Sequence, residues 1–105
     1  MMTKEERRAR RETEIVNRLD REALQDVLQT RSGRWFIMRL FDSCHVFERT
    51  MTGNSWTYFN EGARDMGLQL RGRIIRDGHV DALQLAEREY VEKITELQKL
   101  RKGDD

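Results

Sequence analysis

Apolar residues recur along most of the chain at intervals of three and four, the spacing that gathers side chains on one face of a helix. The clearest ladder lies between Thr52 and Gly78, where Phe59, Ala63, Met66, Leu70 and Ile74 line up as one continuous stripe. Asn54 or Ser55 is placed to cap this helix, and Asp77-Gly78 to close it with glycine in the left-handed position. Gly62, Gly67 and Gly72 fall inside it. Each costs about 1 kcal/mol relative to alanine in a helix interior, which predicts an offset in the form of close helix packing against another backbone.

The remaining elements follow from the same pattern. Thr3-Lys4-Glu5-Glu6 has the form of a capping box and predicts a helix start. Ile15, Val16 and Leu19 are the first large apolar residues after it, so residues 1–14 are expected to form a charged arm or helix, solvated or partly disordered. Asp20 reads as the N-cap of a short helix carrying Ala23, Leu24, Val27 and Leu28. Thr30 caps the next helix, in which Trp35, Phe36, Ile37, Met38, Leu40, Phe41 and Cys44 spread around more than half the surface. That predicts the most buried helix, covered on two sides, with Arg34 and Arg39 laying their stems along apolar surface.

Residues 45–55 read as a connection in which Val46, Phe47 and Met51 fold back over the core. Val80, Leu83, Tyr90, Ile94 and Leu97 mark a last helix, and Glu87 interrupts its heptads, which favours packing within the chain over a dimeric coiled coil. Residues 102–105 are expected to be a disordered tail. The fold predicted is all-α, a compact antiparallel bundle of four or five helices over residues 15–101 with an extended charged N-terminal helix or arm before it.

Composition supports this. The 105 residues contain no proline, and 37 % are charged, a profile that fits helices on short connections in one small domain. No run is long and apolar enough for a membrane span, and the charged N-terminus does not resemble a secretory signal, so the expected location is cytoplasm with no membrane partner. Net charge is +1, distributed as 0 over residues 1–30, +3 over 31–78 and −2 over 79–105. A phosphate-backbone binder concentrates a larger basic excess on one face.

Candidate chemistry is sparse. Cys44 and His45 are adjacent, but successive helical residues point about 100° apart and do not share a proton in one local structure, so a structural thiol is the better reading. His45 and His79 with one thiol lack metal-site spacing, and neither a metal nor another cofactor is expected. Glu87, Glu89 and Glu92 read as surface charges. The chain is therefore expected to be a non-enzyme. Arg7, Arg8, Arg10 and Arg11, with Arg64 and Arg71 on the central helix, are the nucleic-acid candidates. The interleaved acids, as in a Glu14–Arg18 pair, give the competing reading of a solvated helix face.

The ordered set Gly33-Arg34-x-Phe36, Arg39-Leu40, Cys44-x-Val46-Phe47, Thr52-Gly53-Asn54-Ser55 and Thr57-x-Phe59-Asn60-Glu61-Gly62-Ala63-Arg64-x-x-Gly67-Leu68-Gln69-Leu70 resembles a family of small tailed-phage proteins. That family is labelled after an uncharacterised product of a Bordetella podophage virion-gene cluster. The resemblance spans roughly residues 24–75 and departs from the family pattern at Arg31, where proline is common, and at His45, where glycine is common. It implies a phage-encoded virion or morphogenesis component, located in host cytoplasm or incorporated in the virion, and supplies no catalytic residue.

The expectation drawn from both lines is a structural or assembly accessory that packs against itself as a homo-oligomer or against a larger virion protein. Trp56 and Tyr58, off the main ladder at the start of the central helix, are the protein-interface candidates, with core burial as their alternative. A nucleic-acid-binding accessory is the second reading and a host-directed inhibitor the third.

Overall fold

In a computed structural model of the chain, residues 1–46 and 55–103 are described, with side chains described from residue 61 onward in the second stretch. The fold is an all-α helical bundle of four helices: α1 (Lys4–Gln29), α2 (Arg31–Ser43), α3 (Ser55–Arg76) and α4 (Val80–Arg101). Phe47, Met51, Asn54 and the side chains of Trp56, Tyr58 and Phe59, all singled out in the sequence, lie outside the described residues.

Thr3 caps α1 as its box predicts, its hydroxyl accepting from the Glu6 amide at 3.1 Å. The arm is helical from Lys4, and α1 continues unbroken to Gln29, so the predicted second start at Asp20 is corrected. Asp20 is spent elsewhere: its carboxylate lies 3.1 Å from Arg73 on α3 and does not cap a backbone amide. The run on either side of it, rich in Arg, Glu, Leu and Ala, favours helix continuity.

One extended residue, Thr30, separates α1 from α2 and accepts from the Gly33 amide at 2.9 Å. Gly33 is pressed against the end of α1. A β-carbon there would collide with the Val27 carbonyl oxygen and stand 2.7 Å from its carbon.

α2 and α3 stop in the same way. At the end of α2 the Val46 amide donates to Phe41 O (3.1 Å) and the His45 amide to Asp42 O (3.0 Å), with His45 at φ 58. At the end of α3, His79 donates to Ile74 O (3.0 Å) and Gly78 to Ile75 O (3.1 Å), with Gly78 at φ 87. Both are Schellman closures. The first uses histidine where the left-handed backbone favours glycine.

The core consists of Leu28, Ile37, Met38, Phe41, Val46, Ile74, Leu83 and Ala86, drawn from all four helices and the α2 closure. α2 supplies three of them, in keeping with its predicted burial. It is not covered on two sides, however: Phe36 is 63 % exposed, and Trp35 and Leu40 are also open. On α3 the inward stripe is Ala63, Gly67, Leu70 and Ile74, with Gly67 and Ile74 buried and the other two half-buried, and Met66, expected in the ladder, is 69 % exposed. The steps of four, three and four through Gly67 fit a helical face as well as those through Met66, and packing selects the smaller residue.

Gly67 is buried because α2 ends on top of it. A β-carbon at Gly67 would collide with Val46 Cγ2 and stand 2.8 Å from Cys44 Cβ. The predicted close packing at Gly62 and Gly72 is corrected, since nothing among the described residues lies within 4 Å of a β-carbon at either. Those two glycines lie off the stripe that meets α2.

Two helices run past the core. All residues of α1 before Asp20 are exposed, and so is most of α4 beyond Tyr90, including Val91, Leu97 and Leu100. The result is a flat, elongated molecule of 67 × 39 × 15 Å. Its radius of gyration is 18.3 Å, against about 13 Å for a compact chain of this length. No described helix is long and apolar enough to cross a membrane.

Candidate functional site

The most constructed polar cluster joins three helices around Glu89. Arg34 on α2 donates from Nε to Glu89 Oε1 at 2.6 Å and from Nη2 to Oε2 at 3.1 Å, a bidentate grip on α4. Its Nη1 donates to the Leu28 carbonyl at 3.0 Å, satisfying an acceptor left open in the last turn of α1. Arg31 adds a third contact, Nε to Oε2 at 3.1 Å. The Arg34 and Glu89 side chains are only 13 % and 17 % exposed.

This environment holds the Glu89 carboxyl below the ordinary carboxylate range, chiefly through the Arg34 hydrogen bond, with burial opposing and Arg31 assisting. The same hydrogen bond raises Arg34 above its usual value. Glu89 is therefore not the surface charge the sequence suggested. The sequence marked Arg34 as a polar exception in an apolar helix, but its partner lies 55 positions away, beyond any local pattern.

Beside this cluster a groove of about 560 Å³ opens between the start of α2 and the second half of α4. Trp35, Ala86, Tyr90 and Leu97 supply apolar lining, and Arg31 and Lys93 are among the charged residues at its sides. Trp35 and Tyr90 face each other at 5.2 Å between ring centroids with planes tilted by 45°. The Tyr90 hydroxyl accepts from Arg39 Nη1 at 3.4 Å, and Arg39 also pairs with Asp42 at 3.3 Å. The spacing counts Trp35 among the apolar residues of this helix and gives no sign of the groove, because a helix with apolar residues on most sides does not show which of them stays uncovered.

The sequence candidates are dispersed. Arg7, Arg8, Arg10 and Arg11 stand exposed on the free half of α1, with Arg10 3.4 Å from Glu14. Farther along, Arg18 lies 4.0 Å from Glu22, so the observed pairs differ from the expected Glu14–Arg18. Arg71 is committed to Glu87, donating from Nη2 at 3.1 Å and Nε at 3.3 Å. Arg64 is half-buried, its Nε having no hydrogen-bond partner among the described residues. Arg64 and Arg71 thus do not present two free guanidinium groups along α3. Cys44 caps α2 beside Gly67 and His45 carries the turn, so the adjacent pair is used to end a helix.

No family model, characterised protein or solved structure matches this chain.

Proposed function

We propose that the protein is a non-enzymatic structural or assembly accessory of a tailed phage, a virion or morphogenesis component that acts by packing against other protein. The observation that carries this reading is the amount of helix left uncovered. The chain exposes 8456 Å², whereas a compact monomer of its 12.6 kDa exposes about 6,200 Å². Large apolar side chains on all four helices contribute to the excess, among them Leu19, Phe36, Met66 and Val91.

Two further features support it. Glu89, whose carboxyl is held low, is saturated by guanidinium donors and serves to hold helices together. The residues that carry the phage-family resemblance also include the packing contacts of the fold: Gly33 against Val27, and Cys44 and Val46 against Gly67. That pattern reads as a shape requirement.

The test is to purify particles and assembly intermediates from cells infected with the encoding phage and to quantify this chain by mass spectrometry. Stoichiometric recovery with either supports the role. Normal particle assembly after deletion of the gene, with no chain in any intermediate, contradicts it. The exposed arginines of the arm keep nucleic-acid binding as the second reading, recognised by an affinity that falls steeply with salt.

A further inference from the structure

The geometry points to a specific occupant for the α2–α4 groove: the free half of α1 from a second copy of this chain, exchanged reciprocally in a two-fold dimer. This inference rests on the packing reading above and adds the surface and the partner.

α1 has two apolar faces. Leu24 and Leu28 pack on the chain's own core, whereas Ile15 and Leu19 are exposed. Each exposed residue precedes a core-facing one by nine positions, and nine residues at about 100° each amount to a half-turn offset. Ile15 and Leu19 therefore face away from the molecule that Leu24 and Leu28 help to hold together. The stripe they form is of no use to their own chain.

The groove has the complementary character. Trp35 and Leu97 on its walls are exposed, and Leu97 stands seven residues after Tyr90 on the face by which α4 packs earlier in its length. Of the acids along this stretch, Glu89 is taken up by Arg31 and Arg34 and Glu96 lies 3.0 Å from Lys93, which leaves Glu92 without an ion pair among the described residues. The arm from Lys4 to Arg11 carries five basic residues against Glu5 and Glu6. Apolar stripe meets apolar floor, and Glu92 is the acid at the groove edge left open to the basic helix start.

The area is sufficient. The chain exposes roughly 2,200 Å² more than a compact monomer of its mass, and a standard interface removes about 800 Å² from each partner. Two arms and two grooves related by a two-fold axis close the assembly without leaving a further site open.

The test uses full-length chains in a Cys44→Ser background, one carrying Leu19→Cys and the other Leu97→Cys, distinguished by a tag and mixed under copper–phenanthroline oxidation. The expected product is the mixed disulfide dimer in excess over both homodimers. A mixed product no more abundant than the homodimers overturns the assignment. Light scattering on Ile15→Glu/Leu19→Glu gives an independent readout, because both positions are exposed and the helical circular dichroism should be retained. A shift from dimer to monomer supports the arm-in-groove contact. A dimer that survives the double substitution overturns this seat while leaving the packing reading intact, and a wild-type chain that is monomeric at all concentrations overturns the second copy as occupant. Failure of the packing reading itself is read separately, from the particle experiment.

Discussion

Arg34 holds Glu89 by two parallel hydrogen bonds, 2.6 and 3.1 Å long, while its third nitrogen reaches the last turn of α1. One side chain on α2 thereby fixes α4 and the end of α1 together. The carboxyl of Glu89 is held low in the folded state, so its contribution is present above the ordinary glutamate value of about 4.3 and is lost as pH falls through the lower folded value. Thermal unfolding followed from pH 7 to pH 3 should therefore show Tm falling in the acid range. Glu89→Gln should lower Tm at pH 7 and flatten that acid decline. An unchanged Tm at pH 7 would contradict the role given to the pair.

Gly67 and Gly72 lie on one helix in opposite circumstances, which makes them a controlled comparison. Gly67→Ala drives a methyl into Cys44 and Val46, and overpacking of about 1–3 kcal/mol outweighs the helix-propensity gain of about 1 kcal/mol. The expected net effect in urea denaturation is a loss of stability. Gly72→Ala meets no described neighbour and should stabilise by about 0.5–1 kcal/mol. Equal effects of the two substitutions would remove the case for close approach at Gly67.

The left-handed turn at His45 yields a third expectation. A side chain with a β-carbon at φ 58 costs about 1–2 kcal/mol that glycine does not incur. Both His45→Gly and His45→Ala remove the imidazole, so the glycine variant should be the more stable of the two by about 1 kcal/mol. Denaturant midpoints of the two variants decide it.

At the α1–α2 junction, Gly33→Ala sets a β-carbon against backbone atoms of Val27, which have no rotamer through which to yield. The loss should exceed that of Gly67→Ala, whose neighbours are side chains. Circular dichroism melts of the two proteins measure the difference directly.

The helices were legible because their signals are local. Thr3 and Thr30 cap as their sequences suggest, Gly78 closes α3, and the faces carrying Ile37, Phe41, Ile74 and Leu83 are written in the three-and-four spacing. Asp20 misled because an N-cap residue and a side chain reaching for Arg73 are the same residue in sequence. Met66 and Gly67 were interchangeable to periodicity, and only the position of Cys44 and Val46 decides between them. The cluster at Glu89 was illegible for a related reason. Its charges are ordinary one by one, and what distinguishes them is a meeting of α1, α2 and α4 that no spacing encodes. Exposure of Ile15, Leu19 and Leu97 was hidden as well, since an apolar residue at helical spacing reads as core until the partner helix proves too short to cover it.

On the proposed reading, this chain completes its surface with a second copy of itself. Size-exclusion chromatography with multi-angle light scattering on the untagged wild-type chain, across a hundredfold range of concentration, tests it most directly. The expected species has twice the 12.6 kDa chain mass or is a larger closed oligomer. A particle of single-chain mass at every concentration, with the elongated radius of gyration of 18.3 Å, would contradict it.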